Sequence, residues 1–296
     1  MSTYNEKNTE KNNYDYSSIS DAELMLKLEC FADQTDDFAQ KHLLSELMAR
    51  YSKMSKQVED QNLQFKKYSD NIEELVQEKV KEISASQIAT IHALLKAAES
   101  RDDDTGTHIE RTSLYCRLIA EKLYEAGKYP EEIDGNYAEN ISKASSLHDV
   151  GKIRIGDSIL LKPGRLMIEE FEIMKTHVDI GYETLESAQA TYPENVFLKI
   201  GLEIAKNHHE KWDGSGYMQG LTGEEIPLAA RIMALSDVYD ALRSKRVYKE
   251  PFSHEKTYTI MVEEIDRHFD PVLMDLFKEH HLQFAEIFEN LSCKKQ

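Results

Sequence analysis

Residues 145–152 read SSLHDVGK, so a histidine (His148) and an aspartate (Asp149) stand side by side in a segment with otherwise helical, apolar spacing. Neighbouring residues on a helix point about 100° apart, so one metal ion cannot easily take both in ideal geometry. The two oxygens of an aspartate can, however, bridge two ions. The pair therefore favours a site with more than one metal, and Lys152, one turn beyond His148, would direct a cation at whatever the metals hold.

A single His-Asp pair is more often a surface or capping pair than a metal site, so ligands from elsewhere in the chain are needed. A single histidine or aspartate elsewhere in the chain is more often a helix cap, a packed side chain or a solvated side chain than a metal ligand. Together, the further candidates could complete the site: Asp104, His108, His177, His208, His209 and Asp237. Imidazole and carboxylate groups without thiolates suit iron, manganese or zinc, and a carboxylate-bridged cluster suits a hydrolase that forms a hydroxide between metals.

Three basic residues are candidates for holding the phosphate of a substrate. They are Lys152, Arg246 and Lys249. Without the metal ligands, Arg246 and Lys249 would be interpreted as the ordinary surface charge of a loop.

Composition narrows the class of protein. The chain has 296 residues, 41% of them hydrophobic, which is enough for a sizeable core. A net charge of −18 argues against a general binder of nucleic-acid polymers and against a basic membrane-surface protein. Three dispersed cysteines, Cys30, Cys116 and Cys293, predict free thiols, and neither a transmembrane helix nor a signal peptide is recognised. We therefore expect a cytoplasmic protein.

The first 85 residues divide into a polar tail and a helical region. Residues 1–18 have few large apolar side chains and are predicted to be a mobile tail. Residues 19–85 are predicted to be helical, beginning with a capping box at Ser20 and Glu23. Beyond the acidic break at 33–37, mainly apolar residues recur in alternating steps of three and four. This heptad seam comprises Leu44, Leu47, Tyr51, Met54, Val58, Gln61, Phe65, Tyr68, Ile72 and Leu75.

The seam has two interpretations, an amphipathic helix packed on its own domain or a parallel homodimeric coiled coil that transmits a signal. About 50 residues at ~1.5 Å each give a rod of ~75 Å, longer than one small domain can cover, which favours the coiled coil. The spacing shifts after Leu75 as in a four-residue stutter, and the helix is expected to continue into the next domain.

Residues 86–296 are predicted to form one all-helical catalytic domain. Turn signals separate successive helical segments, and no convincing set of alternating strands appears. Phe171, Met174 and Tyr182 have helical spacing, which predicts that they belong to the core rather than to a ligand site.

The motifs resemble, in their order and in their residues, those of the HD-GYP family, a branch of the HD metal-dependent phosphohydrolases. The resemblance runs from about residue 86 to the C-terminus. It rests on the sequences DTGTH (104–108), HDVGK (148–152), KTH (175–177), HHEKWDGSGY (208–217), IP (226–227), AR (230–231), DVYDAL (237–242) and HFDP (268–271).

This resemblance implies an HD-type helical bundle that hydrolyses cyclic di-GMP or a related cyclic dinucleotide. It implies two divalent ions, iron or manganese, bridged by Asp149, with a third where Asp104 and His108 complete a further site. The implied metal ligands are Asp104, His108, His148, Asp149, His177, His208, His209 and Asp237. Lys152 would stand beside the scissile phosphate, Arg246 and Lys249 would contact phosphate, and Tyr217 would contact substrate.

Two positions depart from the family pattern. Asp104 stands where the family usually has Glu, which shortens the reach of the carboxylate to a third metal. Met218 replaces the proline of the Gly-Tyr-Pro loop, which removes a fixed backbone angle. In the family this loop is also a proposed contact for diguanylate cyclase partners, and the substitution bears on that role.

Three functions follow for comparison. The first is an active cyclic-dinucleotide phosphodiesterase controlled through its N-terminal coiled coil. The second is a sensor that binds a cyclic dinucleotide or a signalling partner with little turnover. The third is a phosphohydrolase for another nucleotide, because the metals set the type of reaction while the pocket walls set the substrate.

Overall fold

The computed structural model describes residues 20–99, 107–245 and 250–292, with the side chains of 96–99 left aside. The predictions for the tail 1–18, Asp104, Arg246, Lys249 and Cys293 lie outside the described residues. Throughout the described ranges the protein is helical, and the only pairing of strand type is an isolated bridge between Ile265 and Phe269. The prediction of an all-α protein with a long N-terminal helix is confirmed.

The chain forms two compact units that divide between Ile83 and Ser84. The first contains α1 (Asp21–Gln34) and most of α2 (Phe38–Glu99). Ser20 caps α1 by accepting a hydrogen bond from the Glu23 amide at 3.4 Å. Both helices line an apolar groove of about 350 Å³, with Leu24, Leu28, Leu44, Leu47, Met48, Tyr51 and Met54 on its walls.

The heptad seam lies along α2, and its apolar members from Met54 onward are exposed in the single chain. Phe65 is 75% exposed. A row of exposed apolar side chains with a regular 3.5-residue period is the arrangement expected of a helix whose partner is another helix.

The second unit holds the remaining helices and three short 3-10 turns. The helices are α3 (His108–Glu125), α4 (Tyr137–Ala144), α5 (Asp157–Leu160), α6 (Ile168–Lys175), α7 (His177–Thr191), α8 (Val196–Asn207), α9 (Leu228–Arg243), α10 (His254–Glu263) and α11 (Pro271–Ser292). The 3-10 turns are Ser145–Leu147, Val150–Arg154 and Gly223–Glu225.

The core of this unit is built around α9, which packs against α3, α8, α10 and α11. Small residues such as Ala229 and Ala230 on α9 are fully covered by these neighbours. Beside α9 lies an aromatic cluster of Tyr115, Tyr239, Phe277 and Phe284, in which the Tyr115 and Phe284 rings stack 4.8 Å apart. Because α9 also carries Asp237, the core fixes the position of one candidate ligand.

Two local predictions are wrong. The His148–Asp149 pair does not interrupt a regular α-helix but connects the 3-10 turns Ser145–Leu147 and Val150–Arg154. Phe171, Met174 and Tyr182 do not belong to the buried core, and Phe171 is 44% exposed. Helical spacing is shared by core positions and by exposed ones on a short surface helix, so the period alone could not separate them.

Gly151 allows the backbone just after the His148–Asp149 pair to pass very close to the backbone of α7. A Cβ atom there would lie 1.9 Å from the His177 carbonyl oxygen and 2.6 Å from the Gly181 nitrogen. The glycine therefore lets the turn after Asp149 touch the backbone of α7, which carries His177 at its first residue.

Candidate metal centre

The candidate ligands come from distant parts of the chain but meet inside the second unit. His108 begins α3, His177 begins α7, and His208 and His209 follow α8. Asp237 lies on α9. These side chains, with His148 and Asp149, form two adjacent groups, in each of which the ligand atoms lie within 4.8 Å of one another.

The first group consists of Asp149, His177, His208 and His209. The Oδ1 atom of Asp149 lies 3.3 Å from His177 Nε2 and 3.8 Å from His208 Nε2. The rings of His208 and His209 are 4.0 Å apart. One carboxylate oxygen thus faces a set of imidazole nitrogens.

The second group consists of His108, His148 and Asp237. His108 Nε2 lies 3.4 Å from His148 Nε2 and 3.6 Å from Asp237 Oδ1. Both histidines are buried, whereas the Asp237 side chain keeps 22% exposure. This group therefore has one side open to solvent.

Asp149 lies between the two groups. Its Oδ1 atom faces the first group, while Oδ2 lies 3.1 Å from His148 Nε2 and 2.7 Å from Lys152 Nζ. Asp149 precedes the 3-10 turn Val150–Arg154 and Lys152 lies within it, so the lysine is directed to the carboxylate three residues before it. The expectation that Lys152 shares a helix face with His148 is replaced by this ion pair with Asp149.

Backbone carbonyls orient three of the histidines. The Nδ1 atoms of His148, His177 and His208 lie 2.8, 2.7 and 3.0 Å from the carbonyl oxygens of Ser145, Met174 and Ile204. A carbonyl only accepts hydrogen bonds, so each Nδ1 donates its proton. Each Nε2 then presents a lone pair to the centre, which is the tautomer that a metal requires.

His108 is oriented by a carboxylate that the sequence analysis did not single out. His108 Nδ1 lies 2.8 Å from Asp240 Oδ2, and Arg111 donates to Asp240 from Nε and Nη2 at 2.5 and 2.7 Å. Asp240 is 1% exposed. Its position one helical turn after Asp237 on α9 was the one available sequence signal.

The three histidines of the first group are kept neutral by their surroundings. Burial lowers the pKa of His208 to about 3 and also lowers the pKa values of His177 and His209. Burial opposes the charge on Asp149 as well, but Lys152 and His148 outweigh it and hold the pKa of this carboxyl well below its usual range. The same carboxylate raises the pKa of His148 against the effect of burial.

This donor set fits divalent cations. Within the described part of the chain, the buried atoms Asp149 Oδ1, His177 Nε2 and His208 Nε2 have no hydrogen-bond partner. Leaving such atoms unsatisfied costs ~1–3 kcal/mol each, so their convergence indicates a ligand that accepts their lone pairs. A metal cation does so, and neutral imidazoles with an ionised carboxylate are the protonation states that bind it.

The loop after His209 closes over the first group. Glu210 is buried and its carboxylate accepts hydrogen bonds from the Gln219 and Gly220 amides at 2.6 and 3.1 Å. Gly216 lies against the backbone of Glu210, where a Cβ would approach within 2.5 Å. The loop folds back so that the Tyr217 ring stacks on His209 at 4.6 Å, and the peptide bond from Tyr217 to Met218 is cis.

A second buried ion pair anchors the far side of this loop. Arg231 donates to Asp270 at 2.6 Å and to the Ile226 carbonyl at 2.9 Å, and its guanidinium lies over the Trp212 ring. The motifs at 230–231 and 268–271 therefore have a structural role in this protein. They place the loop rather than ligate the centre.

An all-helical unit that directs five histidines and two aspartates at one point belongs to the class of helical proteins with a histidine–carboxylate metal centre. Residues 92–273 match the HD domain family model. The chain belongs to the HD domain family, and its motifs place it in the HD-GYP branch.

Among the curated relatives are three phosphodiesterases of Vibrio cholerae that the chain resembles over about 70% of its length. A "Cyclic di-GMP phosphodiesterase" is 47% identical over 70% of this chain and 42% of its own length, and a "Probable cyclic di-GMP phosphodiesterase" is 42% identical over 76% and 51%. A "3'3'-cGAMP-specific phosphodiesterase 2" is 41% identical over 68% and 36%. The chain thus spans about half the length of these relatives, or less. None of the helices in the described ranges combines the length and apolarity needed to cross a membrane.

Proposed function

We propose that this chain is a metal-dependent phosphodiesterase that hydrolyses cyclic di-GMP or a related cyclic dinucleotide to a linear product. The observation that carries the proposal is Asp149, whose two oxygens face two separate groups of imidazole and carboxylate donors. The names of the three relatives support a cyclic dinucleotide as substrate. Both cyclic di-GMP and 3'3'-cGAMP are therefore substrates to test.

We assign each of the two groups as a site that would hold a divalent ion, with Asp149 as a ligand in both, and Asp104 as a further ligand from the sequence motif alone. A donor set without thiolates suits iron, manganese or zinc, and the resemblance to the HD-GYP family favours iron or manganese among them. Divalent ions in such a centre supply Lewis acidity, which activates water and neutralises phosphate charge. The protein's share is to keep the imidazoles neutral and oriented through their Nδ1 hydrogen bonds.

Lys152 and Tyr217 are the proposed substrate contacts in the described residues. The Lys152 ammonium, held at the edge of the centre by Asp149, is positioned to neutralise a phosphate oxygen. Tyr217 covers His209 and narrows access of water to the first group. Arg246 and Lys249 are proposed as further phosphate contacts from the sequence motif alone.

The test uses anaerobically purified protein, with metal content and dinucleotide turnover measured on the same sample. We expect two or more ions per chain and a linear product. His148→Ala and Asp149→Ala should each lower bound metal and abolish hydrolysis, whereas Asp275→Ala, an exposed aspartate on α11, should change neither. Full activity in either metal-site variant would refute the assignment.

A cyclic-dinucleotide sensor is the alternative that the Met218 substitution favours, because it alters the loop next to His209. Metal-loaded protein that binds the dinucleotide and does not cleave it would establish this alternative. Turnover of an unrelated nucleotide with no binding of cyclic dinucleotides would instead establish a different phosphohydrolase.

We also propose that α2 forms a parallel homodimeric coiled coil that transmits a signal to the catalytic domain 86–296. A diguanylate cyclase or another signalling protein is a further proposed partner, at the loop that carries Tyr217 and Met218. The positions that flank the seam carry no charge apart from Arg50, so like charges do not oppose self-association. These positions are Leu43, Met48, Arg50, Ser55, Gln57, Asn62, Gln64, Ser69, Asn71 and Val76.

Disulfide trapping tests the parallel register. In a background with Cys30 and Cys293 changed to serine, Val58→Cys should cross-link two chains under mild oxidation, because equivalent seam residues face each other. Lys56→Cys, on the opposite face of α2, should not. Removal of residues 1–85 should leave a folded domain with a lower association state by light scattering, and an unchanged association state would contradict the coiled coil.

A further inference from the structure

The metal centre continues outward into a row of aromatic rings. Tyr217 stacks on His209 with a ring separation of 4.6 Å, and Phe171 meets Tyr217 edge to face at 5.9 Å. The row therefore leads from a candidate metal ligand to the surface in two ring contacts.

Phe171 has no structural role in the core that would explain its position. It lies on the short helix α6, is 44% exposed, and belongs to neither buried apolar cluster of the described residues. Beside Tyr217 in the loop, Met218 is 40% exposed. Exposed aromatic and apolar side chains at the mouth of a polar site indicate a surface for an apolar or planar part of a ligand.

Lys175 adds a positive charge to the same surface. Its Nζ atom lies 5.6 Å from the centre of the Phe171 ring and 5.7 Å from that of Tyr217. Glu172 holds the ammonium from the solvent side at 2.8 Å. A cation beside two aromatic rings suits a planar base that carries acceptors on its edge, as guanine does at O6 and N7.

We propose that Phe171 and Lys175, with Tyr217, form a binding platform for one purine base of the dinucleotide. The base stacks on the Phe171 ring and its acceptor edge faces the Lys175 ammonium, while the adjoining phosphate reaches the metal centre. The inference rests on the proposed function and names the residues that recognise the base. Phe171 and Lys175 are thereby assigned to substrate specificity.

The test measures base stacking directly. A cyclic dinucleotide with 2-aminopurine in place of one base is mixed with metal-loaded full-length protein in a stopped-flow fluorimeter, and its fluorescence is followed before turnover. Stacking on an aromatic ring quenches 2-aminopurine. The wild-type protein should quench it, and Phe171→Leu, which keeps apolar bulk but removes the ring, should lose most of the quenching and weaken binding by about 5- to 150-fold.

Conservative variants separate stacking from a general packing effect. Phe171→Tyr should restore the quenching, and Lys175→Met should weaken binding where Lys175→Arg largely keeps it. Ile173→Ala, which alters an exposed apolar residue on the opposite face of the same helix, should behave as wild type. In steady state, Phe171→Leu should raise KM for the dinucleotide far more than it lowers kcat.

The outcomes distinguish this inference from the proposed function. Wild-type cleavage of the dinucleotide with unchanged quenching and affinity in Phe171→Leu would overturn the platform and leave the phosphodiesterase intact. Absence of binding and cleavage of any cyclic dinucleotide by metal-loaded wild-type protein would overturn both.

Discussion

The substitution Asp240→Asn separates the orientation of a metal ligand from ordinary stability. Asp240 is buried, accepts two hydrogen bonds from Arg111, and lies 2.8 Å from Nδ1 of His108. Asparagine has nearly the same shape but carries no charge and has only one acceptor oxygen. The change therefore weakens the hold on the Arg111 guanidinium and on the His108 ring at once.

Each of the two effects has an expected magnitude. Removing the charged partner of a buried arginine costs ~3–5 kcal/mol of stability. Loss of a carboxylate that orients a metal-binding histidine costs about 10- to 100-fold in metal affinity, or ~1.4–2.7 kcal/mol. We expect both losses in Asp240→Asn, with the second confined to the group of His108, His148 and Asp237.

Asp270→Asn is the matched control, because Asp270 forms an equally buried pair with Arg231 that does not touch a candidate ligand. Free energies of unfolding come from urea titration of metal-free protein, and manganese affinities come from competition with a chromogenic chelator. Asp270→Asn should lose a similar amount of stability and keep its metal affinity. Equal metal affinities in the two variants would refute the orienting role of Asp240.

Two further predictions concern the first group and the turn beside it. In chelator-treated protein the unfolded chain protonates His208 near its ordinary pKa of 6.5, whereas the folded protein does so only near 3, so stability should fall as the pH drops through this window. His208 should contribute ~1.4 kcal/mol per pH unit to the dependence of the unfolding free energy on pH. Urea titrations of wild type and His208→Gln at several pH values would measure this dependence, which should be shallower in the variant. Gly151→Ala should cost ~1–3 kcal/mol and reduce bound metal, because its Cβ would collide with the His177 carbonyl. Gly156→Ala, whose Cβ would meet nothing closer than 4.0 Å, should be nearly neutral in thermal unfolding, and equal losses in both variants would contradict the collision.

The parts of the protein that the sequence predicted are those with local signals. The seam of α2 is visible because a 3.5-residue period is written in neighbouring residues. The adjacent pairs His148–Asp149 and His208–His209 are unusual in themselves, and the structure brings their side chains together. For these elements, the sequence pattern identifies the residues, and the tertiary structure supplies the distances between them.

The parts that the sequence did not predict depend on contacts between distant residues. Arg111 and Asp240 are 129 positions apart, and each looks like an ordinary charged residue of a helix. Gly151, in the 3-10 turn after Asp149, packs closely on the backbone of α7, and no pattern within 145–152 encodes this contact. Phe171 was misjudged for a related reason, since its exposure depends on how α6 lies in the fold.

The candidate histidine ligands are oriented in two different ways, and this difference has consequences for how each can vary. His148, His177 and His208 are oriented by main-chain carbonyls, so the direction of each Nε2 is tied to the backbone and is independent of neighbouring side chains. His108 is oriented by the Asp240 side chain, which in turn depends on Arg111. Substitution can alter the second arrangement without moving a helix. The position of His108 is therefore where the proposed metal affinity is most readily adjusted.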